Sequence, residues 1–411
     1  MQFTELQLNA SLLKAIAEER FQTPTQVQEQ AIPPILAKKN VIVSAQTGTG
    51  KTAAFALPIL QLLLDRQAPE KKPKRIKSLI VTPTRELCLQ IEANFKSYAK
   101  HTDLTTTAVY GGVSLAPQKE ILKDGVDILI ATPGRLIDLH KQGAIDLRAI
   151  EIFVLDEADL MLDMGFINDV TTIESLCPRK KQSLLFSATI PDKIVALSET
   201  MIKNPITIKI NPAETTAKTI GQLLYYSPKK NKTDLCLYLL RNTINGKIII
   251  FRRTRIGVDK LEETLSKNGY KVTSIHGEKT QIIRNKAIED FKNKKATILI
   301  ATDVAARGID INNVDAIINF DIPNIPETYI HRIGRTGRAG KSGIAFSFCS
   351  PDEDAYIKTI EELLQRPIKV ITDHPYPRVQ PKKQKKQPNT ISKHKKGRKS
   401  EASKKKKKRW Y

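Results

Sequence analysis

The stretch Ala45-Gln46-Thr47-Gly48-Thr49-Gly50-Lys51-Thr52 follows a short aliphatic run, Val41-Ile42-Val43, and precedes a segment of helical pattern from Ala53 to Leu64. Strand, glycine loop and helix in that order constrain the fold strongly, because they set a helix N-terminus against the end of a buried strand. Gly48 and Gly50 let the backbone curl so that successive N–H groups point inward, as a phosphate cradle requires. The helix beginning near Lys51 adds its positive dipole end at the same spot. Lys51 can reach terminal phosphates, and Thr52 offers a hydroxyl to Mg²⁺. Ala45 stands where the general GxxxxGK[ST] pattern has glycine.

The rest of the chain repeats the strand–helix alternation. Strand candidates up to about Pro205 are Val41–Ser44, Ser78–Thr82, Thr105–Tyr110, Asp127–Ala131, Ile152–Leu155 and Ser183–Phe186, with helical patterns such as Arg85–Lys100 and Ile190–Ile202 between them. Near-continuous Ile/Val/Leu strands predict an α/β fold with a parallel sheet covered on both faces. Around Asn204–Thr219 the pattern gives way to Pro, Asn, Thr and Lys, which marks a domain boundary. The alternation then restarts, with strands expected at Gln222–Tyr226, Lys247–Phe251, Lys271–Ile275, Thr297–Ala301, Ala316–Phe320 and Ile344–Phe348. Helices are expected at Lys232–Arg241, Ile256–Asn268, Gln281–Lys292 and Pro326–Ile333. This second sheet has no phosphate loop. The expected organisation is a first domain over 1–207, a linker over 208–218, a second domain over 219–372 and a disordered Lys-rich tail over 373–411.

Charge points to the partner. The chain of 411 residues carries a net +24, and residues 379–411 hold 15 Lys or Arg against one acid, Glu401. Such a field favours a polyanion. Cys88, Cys177, Cys236 and Cys349 are scattered and form no CxxC pair, which fits a reducing cytoplasm and small buried side chains better than a zinc site. No leader pattern and no apolar run of membrane-spanning length is visible, so a cytoplasmic protein without membrane contact is expected.

Ile152-Phe153-Val154-Leu155 ends in Asp156-Glu157-Ala158-Asp159. A buried strand that delivers carboxylates at its C-terminal edge puts them where ligands bind in open α/β sheets. Asp156 suits a Mg²⁺ ion, directly or through water, and Glu157 suits an attacking water.

Ala45–Thr52 together with Asp156–Asp159 resembles the DEAD-box ATP-dependent RNA helicases. The resemblance spans essentially residues 1–370, with the motifs in the family's order. Phe21, Pro24-Thr25 and Gln28 resemble its adenine-reading motif. Pro83-Thr84-Arg85-Glu86-Leu87, Gly111-Gly112 and Thr132-Pro133-Gly134-Arg135 resemble its RNA contacts, and Ser187-Ala188-Thr189 its coupling motif. Ala301–Asp310 and His331–Arg338 resemble its last two motifs. The Thr215-Thr216-Ala217 junction and the basic tail look like the bacterial RhlE branch. Two small departures stand out: Pro24-Thr25-Gln26-Val27-Gln28 replaces the commoner Pro-Thr-Pro-Ile-Gln, and Glu278 follows Gly277 where Asp is usual.

The resemblance implies two tandem RecA-like domains and an RNA-dependent ATPase. ATP and Mg²⁺ would be held by Phe21, Gln28, Ala45, Gln46, Thr47, Gly48, Thr49, Gly50, Lys51 and Thr52, with Asp156 on the metal and Gly308 and Asp310 reaching over from the second domain. Arg335 and Arg338, spaced i and i+3, are expected as arginine fingers. Pro83, Thr84, Arg85, Gly111, Gly112, Thr132, Pro133, Gly134, Arg135, Arg253, Gln281, Arg284 and Thr302 are expected to touch RNA. Ser187, Thr189 and His331 are expected to couple the domains. Phe21 reads equally as a base-stacking or a core aromatic, and Gln281 and Arg284 equally as RNA contacts or a solvated helix face. Many of these RNA candidates are Gly, Thr and Pro beside helix starts, which offer donors to phosphate and 2′-OH groups, so binding independent of base sequence is expected. The branch leans toward ribosome assembly or RNA decay, and a monomer is expected. An ATP-gated RNA clamp without strand separation and a DNA helicase are the competing readings.

Overall fold

The computed structural model describes residues 1–46, 48–66, 74–210, 220–306, 311, 314–337 and 343–378. The chain divides after Arg378, leaving Val379–Tyr411 as a separate unit outside the described residues. Up to Arg378 it builds two parallel sheets in succession.

The first sheet holds β1 (Val41–Ser44), β2 (Ser78–Val81), β3 (Thr106–Val109), β4 (Ile128–Ala131), β5 (Ile152–Asp156), β6 (Gln182–Ser187) and β7 (Ile206–Lys209). Its order is β3-β4-β2-β5-β6-β1-β7, every pair parallel. Alternate residues of one strand enter different cores, as a period of two demands. Val41, Val43, Ile80 and Val154 pack on one face with α1 (Ala10–Glu18), α2 (Gln26–Leu36), α3 (Lys51–Leu64) and α4 (Arg85–Tyr98). Ile42, Leu79, Val81, Phe153 and Leu155 pack on the other. Helix α3 is nearly all buried because it runs against both α2 and the sheet, so its sequence Ala53–Leu64 is apolar almost all round.

The second sheet holds β8 (Ile220–Tyr226), β9 (Ile248–Phe251), β10 (Val272–Ile275), β11 (Ile298–Ala301), β12 (Ala316–Asn319), β13 (Gly343–Cys349) and β14 (Lys369–Val370). Its order is β10-β11-β9-β12-β13-β8-β14. Counted from each sheet's own first strand, the two orders are identical. Ile249 and Phe251 face one core, Ile248 and Ile250 the other. No helix among the described residues is long and apolar enough to cross a membrane.

The interior strands lie where their aliphatic runs predict. The edges differ. β7 extends the first sheet through Lys209, past the expected boundary at 207, by pairing Ile206 with Val41. Three of its four residues are exposed, so it lacks the continuous apolar run of an interior strand. The expected linker's remainder, 211–218, lies outside the described residues. The second domain also runs beyond 372. His374 is buried with its ring 5.4 Å from that of Tyr225, and Arg378 pairs with Asp354 at 2.8 and 2.9 Å while lying over Tyr226. Prolines at 375 and 377 rule out regular structure there but not packing.

Truncation after Asp373 is therefore expected to lower the thermal midpoint of the second lobe by roughly 2–4 °C, the effect of about 1 kcal/mol of lost burial. Truncation after Arg378 should leave it unchanged. Equal midpoints in differential scanning calorimetry would show that 374–378 contributes nothing.

Candidate functional site

All strands of a parallel sheet end at one edge, and the strand order divides that edge into two halves. In the first lobe β1, β6 and β5 are neighbours, as are β2, β4 and β3. The phosphate-loop and carboxylate candidates follow the first trio. Most of the first-lobe RNA candidates follow the second.

On the β1–β6–β5 half, the loop leaves β1 with the Ala45 N–H donating to the Ser187 carbonyl at 2.9 Å. Gly48 and Gly50 have φ of 84° and 92°. A Cβ at Gly50 would sit 2.5 Å from Gln28 Nε2, so both backbone and space require glycine. Gln28 is buried. Its Nε2 donates to the Gly50 carbonyl at 3.2 Å, and its Oε1 accepts from the Thr25 N–H at 2.9 Å, closing the capping box that starts α2. The residue expected to read adenine thus also ties its helix to the loop. Phe21 is half-buried in an aromatic cluster, 6.1 Å from Phe3 and 6.0 Å from Tyr98 by ring centroids. Thr49 Oγ1 donates to the Gln46 carbonyl at 2.8 Å. Thr47 lies outside the described residues.

Lys51 opens α3 and is only 6% exposed, with Nζ 2.9 Å from Glu157 Oε1. Burial works against its charge. The carboxylates of Glu157, Asp156 and Asp159 outweigh that and hold the ammonium above its ordinary range. Asp156 ends β5, is 2% exposed, and its Oδ1 has no hydrogen-bond partner among the described residues. Burial first, and then the charge of Glu157, pushes its carboxyl up to about 7. Glu157 has φ 54° and ψ 52°, a left-handed conformation that a residue with a Cβ adopts at a cost. That turn carries its carboxylate back over Lys51.

Asp159 links two strand ends. Its Oδ2 accepts from the Thr189 N–H and Oγ1, both at 3.0 Å, and its own N–H donates to Ser187 Oγ at 3.1 Å. The coupling candidates Ser187 and Thr189 are thereby fixed to the carboxylate turn.

On the other half, Thr84 caps α4, its Oγ1 accepting from the Leu87 N–H at 3.3 Å, with Pro83 just before it. The Arg85 guanidinium lies 4.6 Å over the Tyr110 ring, and its Nε has no partner among the described residues. After α5 (Ala116–Lys123) and β4, Thr132 and Pro133 open α6 (Pro133–Lys141). Arg135 Nη2 donates to the Val113 carbonyl at 2.8 Å, tying α6 to the Gly111-Gly112 turn, while its Nη1 has no partner among the described residues. Around Gly111, Gly112 and Gly134 nothing comes within 4 Å of a Cβ position, so these backbones lie open.

Three second-lobe candidates take other partners. Gln281 Nε2 donates to Glu86 Oε1 at 2.5 Å, and Arg284 Nη2 lies 3.3 Å from the same oxygen. Neither is a free solvated face; both reach the first lobe. Glu86, on the first turn of α4, is not among the expected site residues. Arg253 is exposed, yet its Nη2 donates to the Ile322 carbonyl at 2.7 Å and to Glu353 Oε1 at 3.1 Å. Its guanidinium therefore ties together loops of its own lobe while 43% of its side chain stays exposed. Arg255, two residues on, is exposed and paired with Glu278 instead. Thr302 is buried after β11, His331 is half-buried, and Arg335 is 7% exposed in the turn after the helix Pro326–Ile333. Gly308, Asp310 and Arg338, and the Thr215-Thr216-Ala217 junction, lie outside the described residues.

A phosphate loop, a strand-end carboxylate pair and a second sheet of identical order define a two-lobed nucleoside-triphosphatase. Known proteins make the class specific. The DEAD/DEAH box helicase family matches residues 25–197, and the helicase conserved C-terminal domain matches residues 231–340. The chain is 43% identical over 351 residues to the DEAD-box ATP-dependent RNA helicase RhpA of Helicobacter pylori, covering 85% of this chain and 70% of that protein. It is 42% identical over 366 residues to the ATP-dependent RNA helicase CshA of Listeria monocytogenes, covering 89% and 69%. Among solved structures, S. cerevisiae Dbp5 bound to RNA and ADP BeF3 superposes with a TM-score of 0.80 at 32% identity, covering 90% of this chain and 95% of that one. The chain belongs to the DEAD-box family of ATP-dependent RNA helicases.

The raised Asp156 carboxyl has a sign that can be tested. A carboxyl held up to about 7 against an ordinary value near 3.8 favours the folded state only when protonated, so it subtracts stability increasingly as pH rises from 4 to 7. Asp156→Asn should therefore raise the thermal midpoint of the nucleotide-free protein, with a gain of roughly 1–3 kcal/mol at pH 8 that shrinks at pH 5 and vanishes below pH 4. A gain independent of pH in scanning fluorimetry would locate the effect elsewhere.

Proposed function

We propose that this chain hydrolyses ATP only when RNA helps draw its two lobes together, and that closure bends one RNA strand and expels its complement from a short duplex. The observation that carries this reading is the division of the sheet edge. Nucleotide candidates occupy one half and RNA candidates the other, and Ser187, Asp159 and Thr189 join the loops that follow β6 and β5. The Glu86–Gln281–Arg284 cluster, on the RNA side, already bridges the lobes. The Dbp5 structure of similar arrangement is one bound to RNA and ADP BeF3.

In this reading the triphosphate enters along the N–H groups of residues 48–51 at the start of α3. Lys51 leaves Glu157 for the phosphates. That exchange frees Glu157 to orient and deprotonate the attacking water, a role the left-handed turn prepares. The unpartnered Oδ1 of Asp156 fits a divalent cation, to which Thr52, the second residue of α3, would add its hydroxyl. Mg²⁺ held there would neutralise charge on the transferring phosphate. Phe21 and Gln28 lie at the base end, where Gln28 also senses the loop through Gly50. Arg335, with Arg338, completes the site from the second lobe. ATP and RNA then favour each other's binding by the same factor, as linkage requires.

Backbone donors and hydroxyls predominate among the first-lobe RNA candidates, so recognition follows phosphate and 2′-OH rather than base edges. The basic segment 379–411 adds non-specific, salt-sensitive attraction. Opening about three base pairs takes ~4 kcal/mol at ~1.4 kcal/mol per step, which one closure can supply; tens of pairs would demand far more. Strand separation is local.

Single-stranded RNA should stimulate ATP turnover where DNA of equal length does not. Glu157→Gln should abolish turnover while leaving ATP binding, and Arg335→Ala should lower RNA-stimulated turnover by about 10³. Turnover that needs no RNA would overturn the reading. In single-turnover unwinding assays, yield should fall steeply between duplexes of about one and two helical turns. A yield independent of duplex length would exclude local separation.

A further inference from the structure

The second lobe repeats the first lobe's strand order, and the likeness continues into the loop after its first strand. The Ser227 N–H donates to the Cys349 carbonyl at 3.0 Å, as the Ala45 N–H donates to Ser187 at 2.9 Å. Cys349 and Ser187 end the corresponding strands, β13 and β6. The helix Lys232–Asn242 then begins with a lysine, as α3 does. Lys232 is 1% exposed, and its Nζ points back into the sheet edge, donating to the Phe320 carbonyl at 2.9 Å. Phe320 follows β12, the counterpart of the strand that ends in Asp156.

What differs is the anion. In the first lobe Lys51 pairs with Glu157 on the carboxylate turn at 2.9 Å. In the second, Glu353 fills the space. Its Oε2 accepts from Lys232 Nζ at 2.5 Å, from the Ser350 N–H at 3.0 Å and from Ser350 Oγ at 2.8 Å. Its Oε1 accepts from the Ile322 N–H at 3.0 Å and from Arg253 Nη2 at 3.1 Å. One carboxylate thus takes two backbone N–H groups, a hydroxyl, an ammonium and a guanidinium, the donor set of a phosphate site. In the loop after β8, whose Ser227 N–H bonds the residue before Ser350, the Ser227 hydroxyl is fully buried with no hydrogen-bond partner among the described residues.

We propose that the second lobe contains a closed phosphate site in which the Glu353 carboxylate stands as an internal anion on Lys232, and that removing this carboxylate opens the site to inorganic phosphate. The built-in anion keeps the lobe from taking a polyphosphate of its own. It also clamps together the loops after β9, β12 and β13, from which Arg253, Ile322 and Ser350 reach it. The inference rests on the lobe's geometry and not on the proposed helicase cycle.

The test uses the full chain and hydrogen exchange of backbone amides 227–236, which separates this site from the first lobe's loop. In the unaltered protein millimolar inorganic phosphate should leave these amides unchanged relative to chloride at equal ionic strength. Glu353→Ala should speed their exchange on the order of a hundredfold, the consequence of leaving a buried charge unpaired, and phosphate should restore protection. Adding Lys232→Met to that variant should abolish the response to phosphate. If Glu353→Ala does not fold in chloride, recovery of its second thermal transition in phosphate takes the place of exchange. Absence of a phosphate effect on Glu353→Ala in either measurement, or an equal effect when Lys232 is also replaced, overturns the proposal.

Discussion

Lys51 is buried against Glu157, with Asp156 and Asp159 near enough to act on its charge, at an edge where a sheet cannot cover its own loops. Hydrophobic burial places these groups, since β5 is buried along its whole length and must end somewhere. The fold then cannot satisfy them. One carboxylate oxygen of Asp156 has no partner among the described residues, and Glu157 sits in a strained turn. Three acids around one base leave an excess of negative charge that a divalent cation would relieve, while the loop's N–H groups and Lys51 suit an anion. On the proposed reading a metal–triphosphate would meet both demands together, and neither half alone would do so.

The same edge explains how a second ligand can act at a distance. The loops after β5 and β6 touch through Asp159, which bonds Ser187 and Thr189, so on the proposed reading a change at the Asp156–Glu157 turn would pass to the loop after β6. Beyond β5 the sheet continues to β2, whose following segment carries Thr84, Arg85 and Glu86. Glu86 accepts from Gln281 and pairs with Arg284 in the second lobe. A rigid sheet with a contact to the other lobe on its far half gives a physical route for coupling. Its two-state character is what RNA-dependent turnover would measure.

The interior of this fold is legible because buried parallel strands must be aliphatic on both faces. Val41–Ser44, Gln281–Lys292 and Pro326–Ile333 lie where their patterns place them. β7 and β14 escape because edge strands are largely solvated and their pairing is decided by a neighbour far away in sequence. The packing of 374–378 escapes because proline hides it. At the site, the glycine loop and the carboxylates are legible since their chemistry is local. The partners of Arg253 and Arg255 are not separable by sequence: Glu353, a hundred residues on, pairs with the first, and Glu278 with the second. Glu86 carries no signal of its own until the other lobe is present.

Two lobes of one topology have therefore been given opposite electrostatic states. In the first, Lys51 is set among the carboxylates of Glu157, Asp156 and Asp159 at the start of α3. In the second, the corresponding lysine is already neutralised by Glu353, and the lobe's charge is turned to other uses, with Arg332 held on Asp303 at 2.6 and 2.8 Å and Arg335 in the turn that follows. An enzyme with two open phosphate sites would bind nucleotide to each lobe separately, and neither lobe would need the other. On the proposed reading, with the second site closed, the second lobe's arginines would have no phosphate except the one held by the first lobe. That asymmetry, more than the shared fold, makes the joining of the lobes the step on which catalysis can depend.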